Sequence, residues 1–322
     1  MTAVPALSVE HLSVEFRTRS GVVKALDNVS FAVGKGETLA LVGESGSGKS
    51  VTAYAIMGIL DPAGRVTGGK AMLGALDLLH AKPDEIGKVR GREIAMIFQN
   101  PRTALNPIRP VGRQIADVLL RHADVTRREA PGRAVELLRA VGITDPARRA
   151  KAYPFEMSGG MCQRVMIAIA LAAKPSLLIA DEPTTGLDVT TQAVIMDLIG
   201  ELAAEIGMAT IFITHDLALA AQRAKHIAVM HAGHVVELAE TQEMFAHPRH
   251  PYTAELIAAT PDTAASLDQL ASIPGSLPDL RRADLPPCRY SERCPRKLAS
   301  CDQPLPVLPS DNPHTVACWN PL

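Results

Sequence analysis

Aromatic side chains are scarce in this chain, at 3% of 322 residues with a single tryptophan. Stacking of bases on aromatic platforms is therefore not its main binding mode. Neither sign of charge is in excess: 33 Lys and Arg against 34 Asp and Glu leave a net charge of -1. That balance does not build a nucleic-acid-coating surface, and no nucleic-acid partner is expected. Long hydrophobic runs are missing as well. The strongly apolar stretches Val165 to Ala173 and Leu177 to Ala180 are interrupted by Lys174-Pro175. Neither approaches the roughly 20 residues that a membrane-spanning helix needs. The first residues, Met1-Thr2-Ala3-Val4-Pro5, lack a basic segment followed by an apolar run. No secretory signal is read there, and a cytosolic location is expected, with any membrane role exerted by docking to other chains. Apolar residues nonetheless make up 47%, ample for a packed core, and the length suits about two domains.

What is present is led by one octapeptide, Gly43-Glu44-Ser45-Gly46-Ser47-Gly48-Lys49-Ser50. It fits the phosphate-binding pattern G-x-x-x-x-G-K-[ST]. The apolar run Thr38 to Val42 precedes it as a buried strand, and Lys49 to Leu60 follows with helical character. That strand–loop–helix context separates the motif from an ordinary Gly/Ser-rich turn. The glycines let backbone N–H groups wrap the phosphates, and the helix start adds donors and its positive dipole end. Lys49 is expected on the β- and γ-phosphates and the Ser50 hydroxyl on Mg²⁺.

Alternation of apolar and polar residues marks short strands at Leu7–Val9, Leu12–Phe16 and Val29–Val33, with turns at Gly21 and Gly34. Ile94 to Phe98 reads as a buried strand ending at Gln99, and Ser176 to Ala180 as another followed by Asp181-Glu182. Residues 112–142 are helical by spacing, with Ile115, Val118 and Leu119 in one segment and Val135, Leu138 and Val141 in the next. Residues 189–206 form an amphipathic helix, and Thr210 to Thr214 a strand closed by His215-Asp216. Strands alternating with helices predict a largely parallel α/β sheet with ligands at the strand carboxyl ends.

Two more features carry chemistry. In a phosphate-loop fold, Asp181 is placed to serve Mg²⁺ and Glu182 to orient and polarise the attacking water. Met157-Ser158-Gly159-Gly160-Met161 precedes a helix over about Met161 to Ala173. Ser158 is a good N-cap, and the two glycines allow a phosphate close to the helix start. One ATP needs one cradle, so this second anion site is expected to serve the nucleotide of another chain. His215, at a strand end, is placed to hydrogen-bond a γ-phosphate.

Five cysteines are present, and Cys288, Cys294, Cys301 and Cys318 fall in the last 35 residues. In a reducing cytosol such a cluster points to metal ligation before disulfides. Ten of the 24 prolines lie between Pro274 and Pro321, which excludes much helix or sheet there. The segment is either a disordered tail or a loop-rich region held by something other than a hydrophobic core.

Together these residues resemble the nucleotide-binding subunit of an ABC transporter. Gly43 to Ser50 matches the Walker A loop, Gln99 the Q-loop glutamine, Ser158-Gly159-Gly160-Met161 the family signature and Leu177 to Glu182 Walker B. Gly186-Leu187-Asp188 matches the D-loop and His215 the switch histidine. The resemblance implies a P-loop NTPase (RecA-like) α/β core with an N-terminal antiparallel β subdomain. It adds an inserted helical subdomain at about 100–160 and a cysteine-containing, loop-rich C-terminal extension. The ATPase domain is expected over 1–240 and the extension over 241–322. It also implies an ATPase whose subunits pair head to tail around two ATP molecules. Glu182, His215 and Gln99 would be its catalytic residues, and Ser50, Gln99 and Asp181 the Mg²⁺ ligands. The signature would serve the partner's ATP, with Asp188 in the D-loop. Phe16 is the aromatic candidate for adenine, with Val22 or Val23 as alternatives because Thr18 to Gly21 looks like an insertion.

Gln163 to Ala168, His250-Pro251-Tyr252-Thr253, Ile273-Pro274-Gly275 and the tail cysteines are similar to the dipeptide and oligopeptide importer group. That likeness implies peptide uptake with a second ATPase chain, two membrane permease chains and, indirectly, an extracytoplasmic binding protein. The ATPase would sit on the cytoplasmic face of the membrane. Nickel chelates instead of peptides, or an ABC-type ATPase not tied to transport, remain the alternatives. The tail cysteines have five, six and sixteen residues between them. They lack the tight C-x₂₋₄-C pairs of most structural zinc sites and suit a [4Fe–4S] cluster, with zinc or a reducible disulfide pair left open. Cys162 stands one turn into the signature helix, where packing is its expected role.

Overall fold

The computed structural model describes residues 4–260, 272–306 and 313–322. Along the chain come β1 (Leu7–Thr18), β2 (Gly21–Val33), β3 (Thr38–Val42), α1 (Lys49–Met57), β4 (Gly64–Leu73) and β5 (Leu76–Asp77). Next are α2 (Pro83–Val89), β6 (Ile94–Ile97), α3 (Pro101–Ala104), α4 (Val111–His122), α5 (Ala130–Ala140) and α6 (Pro146–Arg149). These lead into α7 (Gly159–Leu171), β7 (Leu177–Asp181), α8 (Val189–Ile206), β8 (Ala209–Thr214) and α9 (Leu217–Arg223). β9 (His226–His231), β10 (His234–Glu240), α10 (Thr241–Ala246), α11 (Pro251–Ala258) and β11 (Thr315–Val316) complete the order. Two compact units divide it, Met1–Ala81 with Phe212–Leu322, and Lys82–Ile211.

In the first unit, β1, β2, β4 and β5 form an antiparallel sheet in the order β2-β1-β4-β5. The strands run longer than the alternation predicts. The polar break at Glu10-His11 interrupts the pattern, but the chain absorbs it as a register shift between Val9 and Leu12 rather than ending the strand. His11 and the facing Asn28 take left-handed φ values of 53° and 58°. The His11 N–H donates to Ser30 Oγ at 2.8 Å. Thr18 to Gly21, read above as an insertion, is the tight turn of the β1–β2 hairpin, with Thr18 paired to Gly21. Gly21 has the positive φ of 126° that such a turn requires.

The other part of this unit places β3 parallel to β9, with Leu39 to Val42 opposite His226 to Val229. All of β9 but its first residue is buried. β10 returns antiparallel to β9, and β11 adds to its other edge through Glu237↔Val316 and Leu238↔Thr315. Glu237 is fully buried and anchors the tail there. It accepts from the Arg249 and His250 N–H groups at 2.7 and 2.8 Å and lies 2.7 Å from His314 Nε2.

In the second unit, β6 and β7 pair in parallel, Ile94↔Leu177 through Ile97↔Ala180, and every residue of both is buried. α4 and α5 pack together through Ile115, Leu119, Ala134 and Leu138. Val118 and Val135 sit at the margin, so the helical face is rotated slightly from the predicted one. α7 is buried along most of its length, with Cys162, Val165, Ile167 and Ala168 fully enclosed. No helix of the described residues is long and apolar enough to cross a membrane.

Candidate active site

The phosphate loop grows out of the buried end of β3. Gly43, Gly46 and Gly48 take positive φ values of 147°, 82° and 107°, which only glycine adopts without strain. At Gly43 a Cβ would run into the Met230 carbonyl oxygen, and at Gly48 it would lie 2.7 Å from Leu26 Cδ2. The loop is therefore pressed against β9 and β2 and has one shape. Gly48 caps α1, whose helix ends at Met57 with Gly58 in the left-handed conformation. That glycine stops the helix short of the predicted Leu60. The Lys49 side chain folds back over the loop, donating to the Gly43 and Glu44 carbonyls at 2.7 and 2.9 Å and to Ser47 Oγ at 3.4 Å. Ser47 is fully buried and Ser50 half-buried at the head of α1.

In the second unit, Gln99 follows β6 and Glu182 follows β7. Because these strands are in register, their ends meet: Gln99 Nε2 donates to Glu182 Oε2 at 2.8 Å. Thr185 Oγ1 donates to the same oxygen at 2.8 Å. Glu182 has φ 45°, a conformation that costs a non-glycine residue on the order of 1–3 kcal/mol and is tolerated where the surroundings fix it. Asp181, next to it, is 1% exposed. The buried Gln163 of α7 donates from Nε2 to the Pro183 carbonyl, holding the turn from behind.

Ser158 caps α7, accepting from the Met161 N–H at 3.3 Å. The predicted cap is present, and the helix starts at Gly159 rather than Met161. Asp188 caps α8 in the same way, accepting from Thr191 N–H at 2.9 Å and Thr191 Oγ1 at 2.7 Å. The Thr191 backbone bond, then its hydroxyl, holds the Asp188 carboxyl below the usual carboxylate range. Gln99, Ser158, Asp188 and, in the first unit, His215 are all exposed.

A family model for "ABC transporter" matches residues 26–185, and one for "Oligopeptide/dipeptide transporter, C-terminal region" matches residues 236–301. The dipeptide transport ATP-binding protein DppD of Bacillus subtilis is 45% identical over 97% of this chain and 94% of its own length. The chain belongs to the ABC transporter family, among its ATP-binding proteins. The oligopeptide transport ATP-binding protein OppD of the same organism is 50% identical over 85% of this chain and 77% of its own. A solved dimeric ATP-binding cassette in a post-hydrolysis state, bound to ADP and Pi, superposes with a TM-score of 0.66. It is 28% identical and covers 73% of this chain and 98% of its own. The protein is thus an ABC ATPase with a mixed α/β P-loop fold, an antiparallel sheet subdomain and a helical insertion.

Within this ABC ATPase, Phe16 lies on β1 opposite Val23 and Gly64, its ring against the Gly64 backbone, while Val22 is exposed. The four tail cysteines converge: Cys288, Cys294, Cys301 and Cys318 line one cavity with His250 and Trp319. All are free thiols. Burial, and then the neighbouring cysteines, push the Cys288 thiol up to about 11. Yet among the described residues no group of three or more His, Cys, Asp or Glu is arranged to hold a metal ion. The [4Fe–4S] site that the spacing suits, and the zinc alternative, are therefore not preformed among the described residues. Cys162 is fully buried against the Pro154 carbonyl, and burial raises its thiol.

Sequence reasoning missed Thr185, Gln163 and the partners of Glu44. Thr185 follows Glu182 by one helical turn's spacing and is legible afterwards. The Glu44 partners, Tyr252 and Arg293, lie 208 and 249 positions away and carry no local signal.

Proposed function

We propose that this ABC ATPase energises the import of peptides across the cytoplasmic membrane. The observation that carries the reading is the oligopeptide/dipeptide C-terminal region at 236–301 joined to a complete set of ATPase motifs. The ATPase domain spans 1–240 and the extension 241–322, of which 261–271 and 307–312 lie outside the described residues. The partners in this reading are a second, different ATPase chain, two membrane permease chains and, indirectly, an extracytoplasmic binding protein. The chain sits on the cytoplasmic face of the membrane as a peripheral subunit.

In this reading the Gly43 to Ser50 loop cradles the ATP phosphates, with Lys49 on the β- and γ-phosphates and Phe16, Val22 or Val23 beside the base. Ser50, Gln99 and Asp181 offer the hard oxygen donors that Mg²⁺ takes. Glu182 orients the attacking water and accepts its proton, and the Gln99 and Thr185 donors keep one of its oxygens in place. His215 holds the γ-phosphate. Ser158, Gly159, Gly160 and Met161 face the partner's nucleotide, with Asp188 beside them. Closure of the pair around ATP and reopening after hydrolysis would drive the permease chains.

For the tail, four soft thiols around one cavity are the right chemistry for iron, and we propose a [4Fe–4S] cluster on Cys288, Cys294, Cys301 and Cys318. The thiols must approach one another and lose protons to bind it. Bound, the cluster would supply a rigid staple to a region with little regular structure.

Uptake of labelled di- and oligopeptides by a strain deleted for this gene tests the transport reading. Complementation by the wild type and not by Glu182→Gln is expected. Full peptide uptake in the deleted strain, with loss of some other solute's uptake, would overturn it.

A further inference from the structure

The C-terminal region reaches the phosphate loop. Glu44, the second residue of that loop, is held at both its backbone and its side chain by residues from the far end of the chain. Its N–H donates to Tyr252 Oη at 3.0 Å. Its carboxylate receives a two-pronged guanidinium: Arg293 Nη1 to Oε2 at 2.7 Å and Nη2 to Oε1 at 3.0 Å. Arg293 itself is fixed on three sides. Its side chain is 5% exposed, Nε donates to the Pro274 carbonyl at 2.8 Å, and the guanidinium lies 5.6 Å from the Tyr290 ring centroid. Tyr252 and Tyr290 are buried and pack on each other and on His231. Leu277 closes the same side, 3.3 Å from where a Cβ on Gly46 would stand.

This arrangement answers an electrostatic problem. A phosphate loop collects anionic oxygens, and a carboxylate at its second position repels them unless its charge is cancelled. A fork-to-fork pair cancels it with fixed geometry, which a lysine ammonium would not supply. We propose that Arg293, carried by the cysteine-bearing segment, is a positioning residue of the phosphate loop: it pins and neutralises Glu44 so that the loop accepts a triphosphate. The inference rests on the nucleotide reading of Gly43 to Ser50. Arg293 touches no phosphate; it acts through Glu44, and it makes the folding of the C-terminal region a condition for full ATP affinity.

The test is a double-mutant cycle on the full chain, read as ATP affinity and as KM against kcat in the assembled transporter. Arg293→Ala leaves the Glu44 carboxylate uncompensated beside the phosphates and is expected to weaken ATP binding about tenfold, with kcat little changed. Glu44→Gln added to Arg293→Ala removes that charge and is expected to restore affinity to within about threefold of wild type. A role confined to holding the C-terminal region in place would not be rescued by Glu44→Gln. Arg293→Gln keeps most of the side-chain volume and gives the same reading should the alanine variant not fold. Unchanged affinity in the Arg293 variants, or losses that simply add in the double variant, would overturn the proposal. Absence of ATP binding by the wild type would instead overturn the nucleotide reading on which it rests.

Discussion

Gln99 and Glu182 are joined by a 2.8 Å hydrogen bond from Nε2 to Oε2, formed because β6 and β7 end in register. The residue that closes one strand thus fixes the carboxylate that closes the next. Gln99→Ala removes a side-chain donor from that oxygen and leaves Thr185. We expect kcat to fall by about tenfold through lost orientation of the base, and Mg·ATP affinity to fall with it because Gln99 is also a proposed Mg²⁺ donor, while ATP affinity without Mg²⁺ changes less than about threefold. Steady-state kinetics and equilibrium nucleotide binding on the same preparation check the split.

Lys49 bridges two carbonyls and one hydroxyl of the loop through Nζ. An ammonium held there is preset to meet anionic phosphate oxygens. Lys49→Ala is expected to weaken ATP binding by at least about tenfold, the scale of one lost charge-assisted contact. Because Nζ also ties the loop together, the thermal midpoint of the variant is expected to fall as well. Fluorescent-nucleotide titration and thermal unfolding measure the two effects separately.

His231 supplies a pH dependence. It is fully buried between Tyr252 and Tyr290, with Glu44 Oε2 3.7 Å from Nδ1, and Arg293, His234 and His250 are its other charged or titratable neighbours. Burial, and then the Arg293 charge, hold its pKa down to about 4. In the unfolded chain an ordinary histidine titrates near about 6.5. The folded state therefore keeps His231 neutral while the unfolded state takes up a proton. Its contribution is complete above pH about 6.5, declines as pH falls toward 4, and costs about 3 kcal/mol once both pKa values are passed. Unfolding midpoints at pH 7.5 and 4.5 are expected to differ more in the wild type than in His231→Gln.

Much of this molecule was legible in its sequence because the informative contacts are local. The strand–loop–helix around Gly43 to Ser50, the Ser158 cap and the α8 boundaries each depend on residues within a few positions of one another, and the structure has all three, whereas the Asp188 cap on α8 is seen only in the structure. The antiparallel subdomain was only half legible. Its strands continue through polar interruptions because a bulge at His11 keeps the apolar faces in phase, and a bulge has no periodicity to detect. The Gln99–Glu182 bond needed the strand register, and the Arg293–Glu44 pair needed the tail's path back to the loop. The tail cysteines gave away their convergence by clustering in sequence, but their spacing could not say how closely the thiols approach.

Whether Glu182 is the general base of an active ATPase is decided by ATP turnover of the purified transporter containing the wild-type chain or Glu182→Gln. With the second ATPase chain carrying its own inactivating change, any turnover comes from this chain. Hydrolysis by the wild type is expected, with a fall of at least about 100-fold in the variant, the usual scale for losing a general base, and with ATP still bound. Turnover undiminished in Glu182→Gln would exclude Glu182 as the base, and a wild-type chain that binds ATP and never hydrolyses it would exclude its action as an ATPase.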